Sequence, residues 1–468
     1  MSEVVERWSS KRAFILAVAG AAIGLGNIWR FPYIAGENGG AVFFLLYVFF
    51  VLMMGLPIMA AEIMIGRAGR RPPIQALRTL AASVGRSHAW TLIGVLGLVT
   101  VFLVLSFYSV VSGWVLEYLR EVVTGTVVTG PSEQVSASFG SFLEDPIRVV
   151  GNHTVFMAMT MTVVAAGIAN GLEKLNNWLM PLLYLLMIAL VIYAATTPGF
   201  SAAVHWLFTP DISKLTVKVV LNAMGHAFFT LAVGACALMA YGAYMPEHQS
   251  LPKAITIVAL LDILVAILSG IAIFSVVFSE GFDPAGGPQL VFVTLPLALG
   301  AFPLGHVLLG MFFALLLFAT WTSSINMAEP MVSTLQDKGM RRPMAALWVG
   351  ICVWAFGLLP ALSFSSLKDV HLWAGQSIFD VITNIPSDLF LPLGGLLIAI
   401  FAVHVLAPAK AEEAYGAHHA GFVVWRTVTR YVAIPLVAIV LLAAAFVMLK
   451  PFLPESEVAQ WVFAHIGA

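Results

Sequence analysis

The chain has 468 residues, of which 60% are hydrophobic and 10% charged, and its 23 Lys and Arg against 24 Asp and Glu leave a net charge of −1. Soluble domains carry about 25% charged residues, so this composition excludes a water-soluble enzyme and places the chain in a bilayer. The balanced, scattered charge also excludes nucleic acid, which requires a concentrated basic face.

A hydrocarbon layer of about 30 Å takes roughly 20 apolar helical residues. Clusters of Gly, Pro and charge divide the chain into eleven such runs: Ala13–Glu37, Ala41–Arg67, Ala89–Val123, His153–Gly171, Trp178–Thr197, Val217–Met245, Lys253–Glu280, Leu304–Leu335, Met344–Ser363, Ser377–Leu406 and Trp425–Leu449. Lys11 and Arg12 precede the first run in the manner of a signal peptide, but GLGNIWRFPY follows where a small-residue cleavage site would stand, so a retained first span is expected. With the N-terminus in the cytoplasm, 16 Lys and Arg fall on inner segments and 6 on outer ones, with Arg30 inside the membrane. The positive-inside rule then sets the orientation, and an odd span count puts the C-terminus outside.

The first run carries Gly20, Gly24 and Gly26 followed by Asn27, Arg30 and Pro32, and the sixth carries Thr230 and Gly234 at comparable depth. Backbone that leaves the helix within hydrocarbon is tolerated only where protein or a cavity surrounds it. Two such breaks, four spans apart, predict an all-α polytopic membrane protein in which spans 1 to 5 (13–197) and 6 to 10 (217–406) are inverted repeats and 425–449 is an eleventh helix. The glycines alone fit close helix packing equally well, since Gly20 and Gly24 form a GxxxG pair.

Arg30, Glu62 and Asp262 lie within apolar runs, where a charge costs roughly 2.5 to 3.5 kcal/mol and usually has a partner and a task. Asp262 is the one charge between Ile255 and Phe278 and reads as an ion or proton site, or as a structural hydrogen-bond acceptor. Glu62, nearer a span end, reads as a partner for freed backbone amides or as a functional acid. Thr322 and Ser323 either bond back to their own helix or offer hydroxyls to a hard monovalent cation. Cys236 and Cys352 both sit in apolar runs and read as buried free thiols.

The stretch WSSKRAFILAVAGAAIGLGNIWRFPYIAGENGG, with FYSVVSGW, GHAFFTLAVG, TWTSSINMAEP and FLPLGGLLIAIF further on, resembles the neurotransmitter:sodium symporters. Within that family the eleven-span pattern is most similar to bacterial carriers of hydrophobic amino acids. The resemblance implies a sodium-coupled carrier with two sodium ions. One would be held by Gly20, Ile23, Ala319, Thr322 and Ser323, the other by Ala22, Asn27, Thr230 and Asp262. Many relatives have Asn at the Asp262 position and need chloride; the acid here, with Ala266 in place of a chloride-binding serine, implies that chloride is not required.

The same resemblance places a substrate carboxylate at the amides of Leu25 and Gly26, beside Ala22, Thr230 and the Tyr108 hydroxyl, and its side chain among Val104, Val111, Phe229, Ala232, Ala235, Ser323 and Met327. Gly24 stands where monoamine carriers have Asp, which implies a free amino acid, hydrophobic or aromatic. Phe229 and Tyr108 would form a lid, and Arg30 would pair with Asp380, with His371 and Asp388 as competitors. Asp337 and Tyr244 would close the inner side, where the family's usual arginine is replaced by Val5 and Arg7 or Lys11 would substitute. Gly171 and Pro181, with nine residues between them, match a pattern that lets the fifth helix unwind in similar carriers. His226 replaces a glutamine and reads as a neutral hydrogen-bonding residue or a proton sensor.

Sodium-coupled import by alternating access into a bacterial cell, across the inner membrane, is thus the leading expectation. A proton-coupled carrier titrating at Asp262 or His226 and a receptor that binds without transporting are the alternatives. An enzyme is the weakest reading, because neither a metal-ligand triad nor a G-x-S-x-G elbow occurs. A free amino acid and the bilayer are the partners this implies.

Overall fold

The computed structural model describes residues 7–246, 249–285, 290–372 and 375–449, so Val5 lies outside the described residues. Helix starts follow local chemistry. Ser10 accepts from the Ala13 N–H and opens α1 (Lys11–Ala22). Asp145 accepts from the N–H groups of Ile147 and Arg148 at 3.0 and 3.2 Å, and Pro146 takes the first helical position. The fourth span therefore begins at Pro146 rather than at His153.

After α1 come α2 (Gly26–Glu37), α3 (Ala41–Gly69), α4 (His88–Thr124), α5 (Pro146–Ala165) and α6 (Ile168–Ala194). Next are α7 (Val217–Thr230), α8 (Ala237–Ala243), α9 (Leu251–Ser279), α10 (Gly305–Asp337), α11 (Arg342–Leu362), α12 (Ile378–Val405) and α13 (His419–Phe446). Among the described residues, nine of these are long and apolar enough to cross a membrane, and the pair α1 and α2, bent by 47°, makes a tenth. The expected sixth span lies outside these ten and takes the form of two pieces, α7 and α8, of 14 and 7 residues. α6 starts at Ile168, well before the predicted Trp178, and runs on through Pro181 as wound helix.

α10 is the most enclosed long helix, packed by α1, α4, α6 and α11, while α13 lies at the periphery. Leu92, Trp178, Ile192, Leu347 and Leu442 stand on the outside and are each more than half exposed, as a bilayer-facing surface requires. Cys352 belongs to that exposed set, which corrects the expectation of two buried thiols; Cys236 is buried.

The two breaks have different solutions. Between α7 and α8 the chain passes through Ala232 (φ 50°), Gly234 (φ 94°) and Cys236 (φ 59°), all in the left-handed region. Non-glycine residues hold that conformation only where the surroundings impose it, and such strain gathers at functional sites. The amides freed at the start of α8 would be orphaned in hydrocarbon. Glu62 of α3 takes them up, accepting from Gly234 at 2.8 Å, Leu238 at 3.0 Å and Met239 at 3.4 Å. Of its two sequence readings, Glu62 is thus the partner of freed amides.

Candidate functional site

At the first break the carbonyls of Gly20 in α1 and of Ile23 just past its end accept from one group, the Ser323 hydroxyl on α10, at 3.0 and 3.1 Å. Thr322 bonds back to Phe318 and Ala319 carbonyls at 3.0 and 3.1 Å, and its Cβ lies against Gly20. The five residues Gly20, Ile23, Ala319, Thr322 and Ser323 therefore meet at one crossing of α1 and α10. Carbonyl and hydroxyl oxygens without a charge suit a hard monovalent cation.

The second constellation surrounds Asp262, which is fully buried on α9. Asn27 Nδ2 donates to Oδ1 at 2.7 Å, the Thr230 hydroxyl to the same oxygen at 3.0 Å, and the Tyr47 hydroxyl to Oδ2 at 2.6 Å. The Ser269 hydroxyl holds the Asn27 carbonyl at 2.7 Å. Every donor to this carboxylate is neutral, and among the described residues no cationic side chain pairs with it. With neutral donors alone the ionised form of a buried carboxyl group is costly, an arrangement that suits a group taking up a cation or a proton. Tyr47 and Ser269 are absent from the sequence reading; a tyrosine in an apolar run gives no local sign that its hydroxyl is aimed at another helix.

Between the two constellations lies a cavity of about 50 Å³, lined in part by Ala22, Gly24, Leu25, Gly26, Val104, Tyr108, Phe229, Thr230, Ala232, Ala235, Ser323 and Met327. Ala21, Val101, Ala237 and Leu391 complete the lining and were not foreseen, while Val111 is buried in α4 without reaching the cavity. The Leu25 N–H donates to the Tyr108 hydroxyl at 3.2 Å. A Cβ at Gly24 would stand 2.6 Å from both Tyr108 Oη and Ser323 Oγ, so the glycine is what admits these two hydroxyls.

On one side of the cavity, the Arg30 guanidinium covers the Phe229 ring at 4.3 Å and lies 3.6 Å from Asp388. This corrects the assignment of Asp380, whose carboxylate and amide are instead bonded to Ser377 as a helix cap. His371 is exposed in the preceding loop. On the opposite side, Trp8 donates from its indole and backbone to the Tyr241 and Tyr244 carbonyls, both at 3.3 Å, and Ser9 bonds Glu173 through its amide and hydroxyl. Tyr244 donates to Glu329 at 3.1 Å, and Glu329 is paired at 2.5 Å with Arg342. The expected Tyr244 and Asp337 pair is thereby corrected: Asp337 is exposed at the end of α10, and the buried acid in its place is Glu329. Glu329 stood in the quoted TWTSSINMAEP motif, and its charge inside a span was the available signal.

His226 is buried among the rings of Phe31, Phe43 and Tyr47, at 5.9, 5.7 and 5.2 Å, and neither ring nitrogen has a hydrogen-bond partner among the described residues. The hydrogen-bonding role read from sequence is not what it has here. Arg7 and Lys11 are both exposed.

Three comparisons bear on this geometry. The profile of the sodium:neurotransmitter symporter family matches residues 5–134 and 133–451. The sodium-dependent transporter YhdH of Bacillus subtilis is 37% identical over 93% of this chain and 96% of its own, and the sodium- and chloride-dependent GABA transporter 2 of Rattus norvegicus is 25% identical over 76% and 67%. The crystal structure of MhsT in complex with L-phenylalanine superposes with a TM-score of 0.87 at 39% identity, over 94% of this chain and 99% of that one. The broken first and sixth spans are thus those of a five-plus-five inverted-repeat transporter fold with an added eleventh helix, and the chain belongs to the sodium:neurotransmitter symporter family, a family of multi-pass carriers and not of enzymes.

Proposed function

We propose that the protein imports a hydrophobic or aromatic L-amino acid together with two sodium ions, by alternating access and without chloride, with its N-terminus in the cytoplasm of a bacterial cell. The observation that carries this reading is the Asp262 carboxylate, buried and served among the described residues by Asn27, Thr230 and Tyr47, all neutral. A sodium ion held by Ala22, Asn27, Thr230 and Asp262 supplies the missing positive charge. The fixed acid also supplies the negative charge that a chloride ion would otherwise bring. Gly20, Ile23, Ala319, Thr322 and Ser323 hold the second ion.

The amino-acid carboxylate meets the backbone of Leu25 and Gly26 and the Tyr108 hydroxyl, and its side chain takes the apolar wall of Val104, Ala232, Ala235 and Met327. The bound L-phenylalanine of MhsT supports a substrate of this class. Arg30, Asp388 and Phe229 close one side, and Trp8, Tyr244 and Glu329 the other. Competition against labelled L-tryptophan in sodium buffer tests the recognition: tryptamine, which lacks the carboxylate, should compete at least about a hundredfold more weakly. Equal competition by the two would remove the amino-acid assignment.

A further inference from the structure

Asn176 is fully buried on α6, and its Nδ2 donates to the Leu172 carbonyl at 2.8 Å. That bond fixes the amide's orientation, because the reverse would set oxygen against oxygen. Asn176 Oδ1 is left with no hydrogen-bond partner among the described residues and lies against Gly20, so close that a Cβ there would collide with it. Asn326, 1% exposed on α10, repeats the arrangement. Its Nδ2 donates to the Thr322 carbonyl at 2.7 Å and the Ala17 carbonyl at 3.4 Å, and its Oδ1 is likewise unpartnered. Ala17 and Gly20 are about one turn apart on α1, as are Thr322 and Asn326 on α10. The Asn176 amide thus meets α1 at Gly20 and the Asn326 amide meets it at Ala17, so both side chains stand beside the crossing of α1 and α10, toward the Trp8 end of α1.

A buried carbonyl oxygen without a donor costs roughly 1–3 kcal/mol, and two of them from different helices beside one cation site point to a ligand that both could accept. We infer that Asn176 and Asn326 form a transfer station for sodium, one step beyond the Gly20, Ile23, Ala319, Thr322 and Ser323 site and on the path toward the Trp8 side. This rests on the sodium-coupled reading above. An ion leaving a dehydrated site must exchange its oxygens one at a time, and a second set of neutral carbonyls lowers that cost without holding the ion tightly. Asn176 sits midway between Gly171 and Pro181, in the turn of α6 that Glu173 ties to Ser9, so opening of the Ser9 contact would release the station to solvent.

The test uses the full chain and ²²Na⁺ alone, measuring equilibrium binding and the rate of exchange for the wild type, Asn176→Ala, Asn326→Ala and Asn176→Asp. Each alanine variant should leave equilibrium binding within about twofold and slow exchange by about tenfold, since one of two transfer oxygens is gone. Asn176→Asp, which adds a negative charge at the station, should tighten equilibrium binding, a gain that misfolding cannot produce. Thr322→Ala should do the opposite of the alanine variants and weaken equilibrium binding by about tenfold or more. Unchanged exchange in both alanine variants, with a sodium-binding wild type, would overturn the station alone. A wild type without saturable ²²Na⁺ binding would remove both the station and the sodium-coupled reading.

Discussion

Tyr47 of α3 and Asp262 of α9, 215 positions apart in sequence, are joined by a 2.6 Å hydrogen bond that leaves Oδ1 to Asn27 and Thr230. The bond divides the carboxylate into an oxygen anchored by the scaffold and an oxygen turned toward the first-span break. Tyr47→Phe keeps the ring among Phe31 and His226 and removes only the anchor. Loss of one hydrogen bond to a charged group is worth roughly 1.5–3 kcal/mol, so the sodium concentration for half-maximal uptake should rise at least about tenfold with little change in thermal stability.

Asp262→Asn removes the fixed charge and leaves a neutral amide in its place. Uptake by this variant should vanish in gluconate medium and return in part with added chloride. Wild-type uptake should be the same in both media.

The two acids proposed for Arg30 separate cleanly. Asp388, with a side chain 44% exposed, forms a pair of the kind worth about 1 kcal/mol or less. Asp388→Asn should therefore change uptake a few-fold through closure, whereas Asp380→Asn, a cap variant, should leave uptake unchanged and lower stability by at most about 1 kcal/mol.

Glu329 is the buried half of a pair with Arg342 and also receives Tyr244. Glu329→Ala takes the carboxylate away from a buried guanidinium, at a cost of roughly 3–5 kcal/mol. Asp337→Ala, at an exposed helix end, should stay within about 0.5 kcal/mol of wild type. Thermal unfolding of the purified variants distinguishes them.

The first-span break was legible because Gly20, Gly24, Asn27 and Arg30 interrupt an apolar run within a few residues. The sixth was legible through Thr230 and Gly234; that Ala232 and Cys236 also adopt left-handed backbone is imposed by packing and has no sequence mark. The start of α5 was readable in Asp145 and Pro146, a cap followed by a helix-opening proline, but hydropathy alone puts it later. Asp262 announced itself as a lone charge, whereas Tyr47, Ser269 and Arg342 act through partners on distant helices. Their roles depend on tertiary placement that local pattern does not carry. Asp380 and Asp388 are eight positions apart on one helical segment, and only the direction in which each side chain leaves the helix decides between them.

Sodium coupling is measured most directly by the accumulation of labelled L-phenylalanine in proteoliposomes. With an inward sodium gradient, chloride-free medium and no proton gradient, the label should rise above its equilibrium level and fall back when a sodium ionophore collapses the gradient. Accumulation that persists with choline in place of sodium, or that follows an imposed proton gradient instead, would contradict the account.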